Sequence, residues 1–308
     1  MKTPPIVLTI FNRPDLAERV FEKIRQARPE RLFVAADGPR AGRPGEAELC
    51  EAARRVTEQI DWPCVCERLY RSENLGCRRA MAEAITWFFE RVEEGIILED
   101  DCVPDATFFP YCAELLEKYR DNPDIAMISG DNFQPAGRLD DSASSYYFSK
   151  YPHIWGWASW RRFWRDYDVE MREWSGDPES LASVVQSPAV RRHLANVFDA
   201  VKAGRIDTWD FQLMFECLRS GRLAVTPHVN LVMNDGFDER ATHTVTKEGH
   251  TTWPAAAMAF PLIHPPEIQV DLNADRHTER EVFGVKRPSI KKLMQLGLRK
   301  VKRALGQG

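Results

Sequence analysis

The sequence contains seven cysteines but no C-x-x-C pair. An odd number of scattered cysteines without that spacing argues against both a disulfide framework and a zinc knuckle. We therefore expect a reducing compartment, the cytoplasm. The apolar run at residues 6–11 is too short for the core of a signal peptide or for a membrane-spanning helix, so no secretion signal is expected.

Outside the C-terminus, acidic residues outnumber basic residues. The net charge is −4, but residues 286–308 hold eight Lys or Arg and no acid, which leaves 34 basic and 46 acidic residues in the rest of the chain. Such an acidic body argues against nucleic acid as a partner, because phosphate neutralisation supplies most of that affinity. The tail itself has the pattern of a basic amphipathic helix that binds an anionic membrane surface. A helix packed back on the domain is the alternative.

A glycine-rich loop is also missing after the first apolar run, where residues 10–14 read IFNRP. This absence disfavours a dinucleotide-binding dehydrogenase and a P-loop enzyme. With 44% hydrophobic and 29% charged residues, the composition is that of a globular enzyme.

Short apolar runs alternate with amphipathic helical stretches through the first half, as in successive βα units. The predicted strands are Ile6–Ile10, Arg31–Ala36, Val65–Leu69, Ile96–Leu98 and Ile125–Ile128. Ligands of such parallel sheets bind outside the carboxyl ends of the strands. We therefore predict that three polar clusters meet in one pocket: Asn12-Arg13, Asp37-Gly38 and Glu99-Asp100-Asp101.

The second half is rich in aromatic residues, with six of the nine tryptophans between Trp155 and Trp209. We predict one mixed α/β unit in which residues 1–140 bind a ligand and residues 141–285 form a C-terminal elaboration. Residues 286–308 form the basic tail.

The acid triplet at residues 99–101 follows a buried strand, where mutual repulsion is costly unless a cation or hydrogen-bond donors compensate it. Carboxylates are the ligands that Mg²⁺ and Mn²⁺ prefer. The triplet is therefore a candidate metal site, and a solvated acidic turn is the alternative.

The order of these motifs resembles a known family. The sequence GIILEDDCVPD at residues 95–105, followed by Phe108-Phe109 and by SGDN at 129–132, is similar to the acid-rich segment of GT-A-fold nucleotide-sugar glycosyltransferases. The similarity extends to the N-acetylglucosaminyltransferase that initiates complex N-glycans and to bacterial family-2-like enzymes. Residues 11–14, 37–38, 74–76, 155–157 and 209–210 fit the same pattern, so the resemblance covers about residues 5–245.

The resemblance implies a GT-A fold with a mixed, mainly parallel central sheet flanked by helices. It also implies that Arg13 and Asp37 lie near the nucleotide base and the triplet near ribose and metal. The donor-binding residues are then expected to be Asn12, Arg13, Asp37, Glu99, Asp100, Asp101, Trp155, Gly156 and Trp157. The alternatives are that Asp37 caps a turn, that Arg13 pairs with a surface acid, and that the tryptophans fill the core. Gly156 between two tryptophans indicates close backbone approach, which the donor could make.

The family's general base lies in a Trp-Asp segment, which places the role on Asp210, with Asp207 as the second candidate. An acid at a helix start can deprotonate an acceptor hydroxyl. The alternative is that Asp207 is the N-cap of this helix and that both acids complement its dipole.

Asp101 is the expected direct ligand of Mn²⁺ or Mg²⁺, and His243 is a candidate second ligand, although a lone histidine is more often structural. The implied function is inverting, metal-dependent transfer of a sugar from a nucleoside diphosphate, expected to be UDP, to a hydroxyl of a glycan or lipid-linked glycan. The enzyme would then work in the cytoplasm, at the inner face of the membrane. A non-catalytic nucleotide- or glycan-binding protein of the same fold is the alternative.

Overall fold

The computed structural model describes residues 2–135, 144–236 and 254–285. The strands are β1 Ile6–Ile10, β2 Arg31–Ala36, β3 Val65–Tyr70, β4 Glu94–Glu99, β5 Cys102–Pro104, β6 Ile125–Ser129, β7 Tyr146–Ser149, β8 Trp157–Trp160, β9 Leu223–Pro227 and β10 Val232–Asn234. The helices are α1 Pro14–Ala27, α2 Glu46–Val56, α3 Gly76–Phe89, α4 Phe108–Tyr119, α5 Arg161–Trp164, α6 Pro188–Lys202, α7 Asp210–Ser220 and α8 Leu272–His277.

Eight strands form one sheet in the order β3-β2-β1-β4-β8-β6-β9-β7. Strands β3, β2, β1 and β4 are parallel to one another, and β6 is parallel to β9, whereas β8 and β7 run antiparallel to their neighbours. The fold is thus mixed α/β with a mainly parallel sheet, as predicted. Strands from both halves of the chain share this sheet.

Helices cover both faces of the sheet. Ile6, Leu8 and Ile10 of β1 pack in one apolar cluster with residues of α1 and α4, whereas Val7 packs in a second cluster with residues of α3. All five β1 residues are buried, which explains why a central parallel strand reads as a continuous apolar run. A third cluster joins α6 and α7.

The predicted strands of the first half are confirmed, and helix α1 begins at Pro14 as expected. The unpredicted strand β5 directly follows the acid triplet and pairs antiparallel with β10. This pairing brings residues 234–236 beside Asp101, whose carbonyl oxygen accepts a hydrogen bond from the Asp235 amide at 2.9 Å.

The C-terminal segment 254–285 contacts β7, an edge strand of the large sheet, and forms one β-bridge with it, between Val270 and Phe148. Within the described residues, no helix is both long enough and apolar enough to cross a membrane. All seven cysteines have free thiols.

Candidate functional site

A cavity of about 220 Å³ lies at the carboxyl ends of β1, β2 and β4. Six of the predicted site residues line it: Asn12, Arg13, Asp37, Glu99, Asp100 and Asp207. The predicted convergence of the three polar clusters is therefore confirmed. Thr9, Ala35, Ala80, Met81 and Ala84 give the cavity an extended apolar wall.

Arg13 lies between two acids of the triplet. Its Nη2 is 2.7 Å from Oδ1 of Asp100 and 2.8 Å from Oδ2 of Asp101. Burial by itself lowers the pKa of Arg13, but these two carboxylates raise it and the net shift is upward. Arg13 is thus a cation, supplied by the protein itself, that compensates part of the charge of the triplet. This pairing corrects the alternative that Arg13 pairs with a surface acid, because the Asp100 side chain is only 6% exposed.

One guanidinium does not balance three carboxylates. Burial raises the pKa of Asp100 to about 6, although Arg13 and the Phe11 amide, which donates to Oδ2 at 3.1 Å, lower it. Burial, followed by the charges of Asp101 and Asp100, raises the pKa of Glu99 well above its usual range. The cavity therefore retains excess negative potential beside Glu99.

Asp37 holds two turns of the cavity wall together. Its carboxylate accepts hydrogen bonds from the amides of Gly38 (2.9 Å) and Leu75 (3.0 Å) and from Nδ2 of Asn74 (2.9 Å). Burial raises the pKa of Asp37 above its usual value, although the hydrogen bonds from the Leu75 and Gly38 amides partly offset this rise. Asp37 therefore caps a turn, as one reading of the sequence proposed, and it does so from within the cavity lining.

Two arginines of the cavity lining were missed by the sequence reasoning. Arg40 follows β2, forms an ion pair with Glu46 and lies with its guanidinium 5.4 Å from the centre of the Phe11 ring. Arg71 follows β3 directly and lines the same cavity. Applying the strand-end rule to β3 as well as to β1, β2 and β4 identifies Arg71 and Asn74.

Asp207 caps a helix other than the expected one. Its two carboxylate oxygens accept the amides of Cys77 (3.0 Å) and Arg78 (3.2 Å), in the first turn of α3. The N-cap of α7 is Trp209, and its side chain makes no capping hydrogen bond. The alternative that Asp207 is the N-cap of α7 is therefore wrong, because Asp207 lies two residues before that N-cap and ties the second half of the chain to α3.

Asp210 is the first residue of α7 and accepts a hydrogen bond from Oγ1 of Thr208. It is outside the lining of the cavity, but its charge contributes to the raised pKa of Glu99, Cys77 and Tyr167. Asp210 is therefore outside the lining but near the lining residues Glu99 and Cys77, and this position is called the rim of the cavity.

The Trp155-Gly156-Trp157 segment adjoins β4 but does not line this cavity. Trp157 is fully buried, and its ring stacks on Trp209 with 5.7 Å between the ring centres. Gly156 has φ +64°, and its carbonyl oxygen accepts the Gly130 amide at 2.7 Å. The close backbone approach expected at Gly156 is thus to the protein itself, and the ring of Trp157 is a core filler with no exposed face for a sugar.

Trp155 is half-buried and packs edge-on against Phe133, with ring centres 4.8 Å apart. Its amide donates to Oδ1 of Asp131 at 3.1 Å. Burial raises the pKa of Asp131 well above its usual range. This second group at the carboxyl end of β6 is separate from the lining of the cavity.

The Asp101 carboxylate is partly engaged. Arg13 holds Oδ2, and the Cys102 thiol donates to Oδ1 at 3.4 Å. A Cβ atom at Gly236 would lie 2.2 Å from Oδ2, so only glycine fits beside this carboxylate. In the part of the chain that the structure describes, no three Asp, Glu, His or Cys side chains are grouped to hold a metal ion. The other candidate ligand, His243, lies outside the described residues.

Comparisons with known proteins give no family assignment. No protein-family model matches the chain, and no curated protein matches it. Among solved structures, HddC from Yersinia pseudotuberculosis is similar over 53% of this chain and 80% of its own, at 11% identity and a TM-score of 0.32. HddC from the same organism complexed with GMP-PN has 10% identity, the same coverage and a TM-score of 0.32. This likeness is too low to support an argument about function.

Proposed function

We propose that the protein is an inverting glycosyltransferase of the GT-A fold that transfers a sugar from a nucleoside diphosphate to a hydroxyl of a glycan. The observation that carries the proposal is the cavity at the ends of β1, β2 and β4, where an apolar wall faces Arg13 and two acids of the triplet. Small-molecule sites combine apolar walls with a few placed polar groups in this way. The mixed, mainly parallel sheet supports the GT-A assignment.

The nucleoside is the part of the donor that the cavity suits. Ala35, Ala80 and Ala84 leave room for a flat base against α3, and Arg40 and Arg71 supply cationic groups around it. The sugar and the acceptor would then lie toward Asp210 at the rim. Asp210 would contribute this side of the site from the second half of the chain.

The carboxylate oxygens of the acid triplet are compatible with Mn²⁺ or Mg²⁺ as ligands. The Glu99 side chain makes no hydrogen bond with the described residues, and Asp101 has one oxygen whose hydrogen-bond donor is a thiol. Mg²⁺ is commonly held by one or two carboxylates together with substrate phosphates. Asp101 would hold the ion, with His243 as the proposed second ligand, and the ion would supply charge neutralisation on the departing diphosphate.

Asp210 is the proposed general base. Asp207 is the weaker candidate because both of its oxygens are used by the α3 amides. At the rim, Asp210 can accept the proton of an acceptor hydroxyl as that oxygen attacks the anomeric carbon. Arg13 holds Asp100 and Asp101 in place on the leaving-group side.

Donor binding is tested by thermal stabilisation with a panel of nucleoside diphosphates and Mn²⁺. A ligand at 100 times its Kd raises the free energy of unfolding by about 2.7 kcal/mol. Ala80→Leu should abolish the stabilisation by filling the cavity, whereas Ala52→Leu, on α2 and outside the lining, should leave it intact. Stabilisation that survives in Ala80→Leu would exclude this cavity as the donor site.

Catalysis is tested with Asp210→Asn. We expect unchanged donor-induced stabilisation and a transfer rate lower by roughly 10²–10⁴-fold, the range for loss of a general base. Steady-state assays with an identified acceptor measure the rate. Donor binding without transfer or donor hydrolysis in the wild-type protein would favour a non-catalytic binding protein instead.

A further inference from the structure

Exposed apolar residues are concentrated at one edge of the molecule. Among the described residues, six large apolar side chains are exposed, and four of them lie in a short stretch of the C-terminal segment: Phe260, Ile263, Ile268 and Leu272. Ile263 is 57% exposed and Leu272 is 50% exposed. Scattered exposed apolar residues are ordinary, but a group within thirteen consecutive residues is a feature of an interaction surface.

Backbone contacts attach this stretch to the β7 edge at two points, Ile263 and Val270. The Ser145 amide donates to the carbonyl oxygen of Ile263 at 2.7 Å, and Phe148 forms a bridge with Val270. Ser145 and Phe148 are three residues apart, which is about 10 Å in a strand. Ile263 and the start of α8 therefore lie close together at the β7 edge of the sheet.

The segment is firmly attached, so the exposure is a property of the folded state. Leu262 and Ala274 are buried, and Oγ of Ser149 donates to Oδ1 of Asp275 at 2.6 Å. Nδ1 of His264 is 2.9 Å from the hydroxyl of Tyr146. The segment thus buries one set of side chains in the domain and presents another set outward.

Most acids of the segment make contacts within the protein. Asp271 caps α8 by accepting the amides of Asn273 and Ala274, and Asp275 is buried. Glu279 accepts a hydrogen bond from the Tyr151 hydroxyl at 2.8 Å, and Glu281 pairs with Arg280. Glu267 is the remaining acid near the apolar group.

The sequence that follows this segment carries the charge opposite to that of an anionic membrane. Residues 286–308 begin directly after this segment and carry eight Lys or Arg with no acid. Each such residue near an anionic leaflet adds electrostatic attraction. An anionic bilayer complements both features, because its headgroups attract the basic tail and its interface accepts Phe, Ile and Leu side chains.

We propose that the β7 edge, through Phe260, Ile263, Ile268 and Leu272, is a membrane-docking face that inserts into the interface of an anionic bilayer together with the basic tail. The face orients the sheet on the lipid surface, whereas the tail supplies long-range attraction. This inference does not depend on the proposed glycosyl transfer.

The test is co-sedimentation of the full chain with phosphatidylcholine vesicles that contain about one-third phosphatidylglycerol. The double variant Ile263→Glu/Leu272→Glu should lower the partition coefficient at least about tenfold, because two apolar side chains no longer enter the interface. Both positions are exposed, and Leu272 begins α8, where an acid is favourable, so the fold should persist. A thermal melt of each variant checks this.

The matched control is Val65→Glu, on β3 at the opposite edge of the sheet, where Val65 is 63% exposed. It should bind vesicles as the wild type does. Equal binding of the double variant and the wild type would overturn the docking face, as would equal binding to vesicles of phosphatidylcholine alone. A wild-type dimer that ignores vesicles and dissociates in the double variant would make the face a protein interface instead.

Discussion

Two regions of the molecule bury a carboxylate beside a cation, and they do so differently. Asp100, at the end of β4, and Asp275, in α8, are 4% and 1% exposed, and burial raises the pKa of each to about 6. Arg13 is 2.7 Å from Asp100, but it also forms an ion pair with Asp101, and the Glu99 carboxyl lies near enough to interact with its charge. Lys150 is 3.7 Å from Asp275 and has no second carboxylate at that distance among the described residues.

The difference separates a ligand site from a structural contact. At α8 Lys150 is the cation beside one buried carboxylate, and Glu279 acts on Asp275 only by its charge, so Asp275 and Lys150 attach the C-terminal segment to the domain. At the cavity three acids share one guanidinium in a space open to a ligand. The surplus negative charge there is what a cation bound with a substrate could neutralise.

The largest expected effect comes from removing the shared cation. Arg13→Met should lower the free energy of unfolding by about 3–5 kcal/mol, because it leaves the buried Asp100 and the partly buried Asp101 without a cation. Urea unfolding followed by circular dichroism measures the loss. The control is Arg19→Met, which removes the exposed pair with Asp235 and should cost about 1 kcal/mol or less. Equal small losses in both variants would mean that the two acids do not depend on Arg13.

The pH dependence of the free energy of unfolding tests the titration of Asp275 in α8. An unfolded Asp titrates near pH 3.9 and folded Asp275 near 6, so between these values the folded state holds a proton that the unfolded state has lost. This contribution to stability is full below about pH 4, is lost as the pH rises to about 6, and changes no further above that value. Two pKa units correspond to at most about 3 kcal/mol.

Asp275→Asn should therefore remove this fall between pH 4 and 6. Urea unfolding of the wild type and the variant at several pH values gives the difference curve. Asp100, Glu99 and Asp131, whose pKa values burial also raises, remain in both proteins and cancel. Stability curves that run parallel across this range would show that Asp275 does not titrate as the structure indicates.

Local patterns predicted most of the first half of the fold. Strands β1 and β2 have the predicted bounds because buried parallel strands read as uninterrupted apolar runs between turn residues. Strand β5 was missed because three residues, Cys102–Pro104, become a strand only through pairing with β10, which lies far along the chain. The order of the antiparallel strands in the second half depends on the same kind of distant pairing.

The candidate site, like the fold, was predicted where local patterns decide it and missed where distant contacts decide it. The carboxyl-end rule placed five residues in the cavity lining, since strand ends can be read locally. It did not predict that Arg13 bonds to Asp100, 87 residues away, or that Asp207 caps a helix 130 residues earlier. Partners of charged groups are decided by tertiary packing, which neither periodicity nor turn signals encode.

The smallest effect concerns Asp207, which links the two halves of the chain at α3. Asp207→Ala should lower the free energy of unfolding by about 1 kcal/mol, the usual loss for an N-terminal cap, because the Cys77 and Arg78 amides lose their acceptor. Asp207→Asn retains one carbonyl oxygen and should lose less. Asp177→Ala, which removes the cap of the short exposed turn Pro178–Leu181, is the control for a cap that joins no distant elements.

The same variants separate the two candidates for the base. If Asp207 acts only through α3, transfer by Asp207→Asn should stay within about tenfold of the wild type, whereas Asp210→Asn should lose about 10²–10⁴-fold. The KM for the donor should change more than kcat in Asp207→Asn, because α3 forms one wall of the cavity. A kcat loss in Asp207→Asn that matches or exceeds the loss in Asp210→Asn, with stability unchanged, would transfer the role of base to Asp207.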